Sequence, residues 1–117
     1  MLYTMVHIEW FNAMTGMDVI KTFMQECMDY DCIIPDGMHV ATGDWVLTAT
    51  GESEGECELL LTVAVHREQE RQLLWDVVKP NLMDECGARI KSLATIPAEL
   101  ARATEDALWD HYYSQAS

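Results

Sequence analysis

The run from Glu58 to Val65 places Leu59, Leu61, Val63 and Val65 on one side of an extended chain and Glu58, Leu60, Thr62 and Ala64 on the other. Side chains alternate across a strand, so a segment that is largely apolar on both sides needs cover on both. The run predicts a central strand. Such a strand requires neighbours for its hydrogen bonds and packed layers for its side chains, and these must come from the rest of the chain.

Two neighbours are legible. Leu2 to Phe11 alternates Leu2, Val6, Ile8 and Trp10 with Tyr3, Met5, His7 and Glu9, and its β-branched and aromatic content suits a strand. Met38 to Thr50 is a further strand-like run, bulged or split at Thr42, Gly43 and Asp44. It follows a turn at Pro35, Asp36 and Gly37, and an acidic connection bounded by Gly51 and Gly55 joins it to the central strand as a hairpin.

The layers come from segments of helical period. Thr15 and Asp18 resemble a capping arrangement, and Met17, Ile20, Met24, Cys27 and Met28 recur at helical spacing, which predicts a helix over 16–31 with that stripe against the sheet. At Arg67 the period changes from two to helical. Leu73, Leu74, Val77, Val78, Leu82 and Cys86 form one stripe that runs through Pro80, so the spacing predicts a single helix kinked near Pro80 and stopped by Gly87. Ala88 to Ala94 permits a short strand. Pro97 in a first helical turn, followed by Leu100, Ala103, Ala107, Leu108 and His111, predicts a final helix that frays after Tyr113.

At 117 residues the chain has room for one core, and residues 1–117 are expected to form a single α+β domain. The order is β-α-β-β-α-β with an added C-terminal helix. It resembles the ferredoxin-like split βαβ arrangement, an antiparallel sheet with helices on one face. If Ala88 to Ala94 does not extend, the alternative is a three-stranded antiparallel sheet with three helices.

No run approaches the roughly 20 apolar residues that span a bilayer, and the first residues lack the pattern of a signal peptide, so a cytoplasmic protein without membrane contact is expected. Cys27, Cys32, Cys57 and Cys86 lack the dense spacing of a disulfide scaffold and are expected as free thiols. Seven basic and twenty acidic side chains give a formal net charge of −13. Residues 1–66 hold eleven acids and only Lys21, whereas residues 67–117 hold nine acids and six bases. Such a balance disfavours direct nucleic-acid binding and favours a cationic protein partner.

The sharpest acidic feature is the hairpin connection. Glu52, Glu54, Glu56 and Glu58 fall at every second position, so an extended backbone sets them on one face about 7 Å apart. With Asp29, Asp31, Asp36 and Asp44 they are the expected partner-binding residues, each as an exposed carboxylate facing Lys or Arg on a basic protein or ribonucleoprotein. Charge runs of this kind also guard sheet edges and keep a protein dispersed, with no partner involved. In size, acidity and lack of motifs the chain resembles phage and mobile-element inhibitors such as anti-CRISPR and anti-restriction proteins. The resemblance is one of composition. It implies a non-catalytic acidic protein that mimics nucleic acid and inhibits a nucleic-acid-handling complex by occupying its basic groove.

The alternative is a small enzyme or ligand-binding domain with a pocket near His7, His39 and Trp45. No glycine-rich phosphate loop, nucleophile elbow or paired metalloprotease histidines are present, and no catalytic residue or cofactor is assigned. Cys57 lies between Glu56 and Glu58, which disfavours its thiolate. Cys27, Cys32 and His39 are too dispersed to assign a metal site. The methionines at helical spacing read as core, and Trp109 with Tyr112 and Tyr113 reads as a helix docked by aromatic rings, with an exposed aromatic patch at a binding surface as the alternative. A homodimer is compatible with every one of these readings.

Overall fold

Residues 2–10, 16–30, 33–34, 40–42, 57–101 and 105–116 are described by the structure, a computed structural model. The chain runs β1 (Leu2–Trp10), α1 (Gly16–Met28), β2 (Ile33–Ile34), β3 (Val40–Thr42), β4 (Cys57–Val65), α2 (Glu68–Leu73), a π-helical turn (Leu74–Val78), α3 (Lys79–Cys86), β5 (Arg89–Thr95), a 3-10 turn (Ala98–Leu100) and α4 (Glu105–Ala116).

β1 lies between β4 and β5 and is antiparallel to both, while β2 and β3 pair antiparallel with the far side of β4. The β1–β4 register is unbroken from Leu2 opposite Val65 to Trp10 opposite Cys57. On the other side, His7 faces Ser92 and Ile8 faces Ile90, so Lys91 is bulged out of the ladder. With the short β2 and β3 in the place of the second strand, this is the split βαβ order expected from the pattern of elements. Arg89–Thr95, the segment with the weakest signal, is a strand.

Strand alternation divides the core in two. Val6, Ile8 and Trp10 of β1, Leu59, Leu61, Val63 and Val65 of β4, and Ile90 of β5 pack against Val19, Phe23 and Cys27 of α1 and against Leu74, Val78, Leu82 and Cys86 of the second helical run. Each fully buried Leu, Ile, Val or Phe contributes about 1.5–3 kcal/mol. On the opposite side, Met5 and Leu60 pack with Ile96 and Leu108, flanked by Tyr3, Ala94, Trp109 and Tyr112. Helices therefore cover both faces of the sheet, whereas the sequence reading placed them on one. The second-face residues of β4, Leu60, Thr62 and Ala64, are the ones that demand this cover.

Helix details correct the sequence reading in three places. The buried stripe of α1 is Val19, Phe23 and Cys27, and Met28 is 65% exposed, because Phe23 sets the inward face. The last helix starts at Glu105, and Pro97 instead precedes a 3-10 turn; the helix also continues past Tyr113 to Ala116. The expected kink near Pro80 is a π-helical turn just ahead of it. The Lys79 N–H bonds to the Leu74 carbonyl, five residues back, and Pro80, which has no N–H to continue the ladder, follows directly as the second residue of α3. Gly87 ends α3 as expected, at φ 72°, with its N–H on the Met83 carbonyl at 2.9 Å. Of the expected strand over 38–50, Val40–Thr42 is described as β3; residues 43–50 lie outside the described residues. Among the described residues no helix is long and apolar enough to cross a membrane.

Candidate functional site

The odd-numbered side chains of β1 point to the face under α4, and two of them are buried and polar. His7 is 4% exposed and Glu9 2%. A buried polar group without partners is costly, so each must be satisfied from neighbouring elements.

His7 is held on both ring nitrogens. Its Nε2 lies 3.3 Å from Glu58 Oε1 on β4, and its Nδ1 lies 3.0 Å from the Tyr112 hydroxyl on α4. Nε2 faces the Glu58 carboxylate at ion-pair distance without a well-aligned hydrogen bond, and in the tautomer protonated at Nε2 the Nδ1 accepts from the Tyr112 O–H. This assignment requires a neutral imidazole. Burial is the largest influence on His7 and lowers its pKa below the usual histidine value, with Lys91 acting the same way; Glu58 and Glu9 oppose them and are outweighed. Aromatic rings close the site. Trp109 and Tyr112 meet the imidazole edge-on at centroid distances of 6.0 and 4.9 Å, and Tyr113 stacks on Trp109 at 5.7 Å. The Trp109 Nε1–H is buried without a partner among the described residues.

Glu9 is held from the neighbouring strand. Its Oε1 accepts from Arg89 Nη2, and its Oε2 lies 3.1 Å from Lys91 Nζ. Arg89 and Lys91, two positions apart in sequence, thus meet on one carboxylate. A charge this deeply buried is tolerable only with such partners.

The expected partner-binding carboxylates are distributed as follows. Asp29, just past the end of α1, is exposed. Glu58 is not a free carboxylate of an acidic rail; its side chain is 29% exposed and engaged with His7. Asp31, Asp36, Asp44, Glu52, Glu54 and Glu56 lie outside the described residues, as do His39 and Trp45 of the alternative pocket. The sequence assigns no site role to Glu9, Arg89 or Lys91, and it marks Tyr112 only as part of an aromatic group on the last helix. A glutamate within an otherwise apolar strand, and two cations flanking an isoleucine in another, were the available signals.

Exposed acids outnumber bases on two of the described helices. Asp18 and Asp29 of the α1 segment and Asp84 and Glu85 of α3 are exposed, and α1 and α3 are tied side by side where Asn81 Nδ2 donates to Glu26 Oε2 at 3.1 Å. Lys21 is the one exposed base on α1, and α3 has only the half-buried Lys79. Arg71, Lys79, Arg89 and Lys91 instead gather where the second helical run passes β5. Among the described residues no group of three His, Cys, Asp or Glu side chains is placed to hold a metal ion. Cys27 and Cys86 are buried thiols in no disulfide. No family model matches the chain, and no curated protein is similar to it.

Proposed function

We propose that this chain is a non-catalytic acidic binding protein that occupies a basic groove of a nucleic-acid-handling protein or ribonucleoprotein and blocks it. The observation that carries the reading is the excess of exposed carboxylates on α1 and α3 in a molecule of net charge −13. Carboxylates stand exposed on α1 and α3, and most described cations are withdrawn to the β5 edge. An uncompensated acidic surface raises the encounter rate with a cationic partner and competes with phosphate for its Lys and Arg side chains. Asp29 belongs to this surface, and the acidic connection through Glu52, Glu54 and Glu56 extends the reading along the sequence.

The test is capture of nucleic-acid-handling proteins at low salt, followed by assay of the captured activity with and without added protein. Inhibition is expected to weaken steeply with salt. Reversing Asp29, Glu52, Glu54 and Glu56 to lysine, with Glu58 left intact to hold His7, is expected to abolish inhibition while circular dichroism stays unchanged. Equal inhibition by the reversed variant would remove the acidic surface as the contact.

A second reading, a small enzyme or ligand-binding domain, is favoured by one observation. An imidazole held between a carboxylate and a phenol is an arrangement that can relay a proton. Here α4 covers it, and neither groove beside β5 includes a histidine. A small ligand that shifts the His7 imidazole resonances at stoichiometric concentration would favour this second reading over the first.

A further inference from the structure

The second helical run passes along β5, the last strand of the sheet among the described residues, and leaves two grooves there. They adjoin at Trp75, which lines both and is 36% exposed. One, of about 440 Å³, has an apolar floor of Trp75, Pro80 and Met83 with Lys79 and Arg89 at its sides. The other, of about 430 Å³, is more polar and is bordered by Arg71, Lys91 and Leu93. Four of the seven basic residues of an acidic chain thus line one pair of grooves, against Glu68 and Asp76 as the carboxylates in the lining.

These cations are positioned. Arg71 donates to Thr95 Oγ1 at 2.7 Å and lies 3.5 Å from Glu68. Lys79 Nζ stands 3.5 Å from the centroid of the Trp75 ring. Glu9 anchors Arg89 and Lys91 from behind, yet their side chains stay 54% and 39% exposed. Exposed Trp and Met beside Arg are the residue types enriched where proteins meet.

We propose that the two grooves form one trough that receives an extended acidic segment of another protein, with an apolar side chain against Trp75, Pro80 and Met83 and flanking carboxylates on the surrounding cations. Both grooves are open to solvent, whereas a small-molecule site encloses most of its ligand; an open trough suits a chain that continues beyond each end. The segment does not add as a strand, because the bulge at Lys91 interrupts the edge ladder midway. Nucleic acid is disfavoured, since a long polyanion would also meet the exposed carboxylates of α3. The trough is opposite in sign to the surface proposed to seek a basic partner, so either can hold without the other.

The test is titration of the isotope-labelled full chain, at low salt, with a five-residue peptide carrying leucine between pairs of glutamates. Its lysine counterpart and inorganic phosphate serve as comparisons. The glutamate peptide is expected to shift the Trp75 indole N–H and the Arg89 side-chain signals saturably, and the lysine peptide to leave them in place. Trp75→Ala and Lys79→Glu, both outside the buried Glu9 cluster, are each expected to weaken binding on the order of tenfold. Absence of a saturable shift at millimolar peptide would overturn the proposal, as would equal binding of the lysine peptide or unchanged affinity in both variants. Equal shifts from phosphate alone would reduce the trough to a simple anion site and overturn it too.

Discussion

At the scale of single residues, His7 links three elements through its two nitrogens. Tyr112→Phe removes the donor to Nδ1 and leaves that acceptor buried, so a loss of about 1–2 kcal/mol is expected in urea unfolding, with the aromatic packing largely kept. Protonation gives a second check. The unfolded chain takes up a proton at His7 near the ordinary value of about 6.5, whereas the folded chain, its imidazole disfavoured by burial, does so only at lower pH. Stability is therefore full above that value and declines as pH falls through the interval between the two. Unfolding curves at stepped pH, compared with His7→Gln, are expected to show this slope in the parent and a shallower one in the variant. Burial, assisted by Glu26, pushes the Cys27 thiol up to about 12, so Cys27 is expected to resist thiol reagents in the native protein at pH 8 and to react on unfolding, as read by mass mapping. Little of the His7 site was legible beforehand. Periodicity placed His7 and Glu9 on one face of β1, but their partners come from distant segments, and alternation carries no information about which polar residue meets which. Glu58 was read with its sequence neighbours when its contact lies across the sheet.

At the scale of elements, the change of period at Arg67 was enough to separate β4 from the helical run that follows, and Gly87 was enough to end that run. Gly87→Ala places a β-carbon at positive φ, and a loss of about 1 kcal/mol is expected in thermal or chemical unfolding. The π turn makes a sharper prediction. Leu74, Val78, Leu82 and Cys86 are buried at intervals of four, and the turn from Leu74 to Val78 contains one residue more than an α-helical turn needs. Deleting Asp76 is expected to convert it to ordinary helix and keep the stripe inward, whereas deleting Asp84 rotates Cys86 and the start of β5 off their positions. Comparing the unfolding midpoints of the two deletions checks this. What remained hidden follows from competition between local signals. In α1 the methionines suggested one stripe while the bulkier Phe23, with Val19, took the inward side. Pro97 suits a first helical turn in isolation, but Ile96 is drawn into the second core and its N–H bonds to the Tyr3 carbonyl, which fixes the chain before a helix can start.

At the scale of the whole molecule, charge and architecture pull in different directions. A net charge of −13 opposes compaction by self-repulsion, so moderate salt is expected to raise the unfolding midpoint while it weakens capture of a cationic partner. Measured side by side, these opposite responses separate the stability effect from the binding effect. The sequence conveyed the imbalance but not its arrangement, since the withdrawal of Arg71, Arg89 and Lys91 to one edge depends on strand order. Architecture adds a constraint through α4. Leu108 and Tyr112 seal the side of the sheet that a split βαβ domain otherwise leaves bare, and Thr62 Oγ1, bonded to the Ala101 carbonyl at 3.1 Å, fastens the approach to that helix. Visitors cannot lie flat on the strands. Among the described residues, what is left for a partner to touch is the rim of the sheet and the outer sides of the helices that cover it.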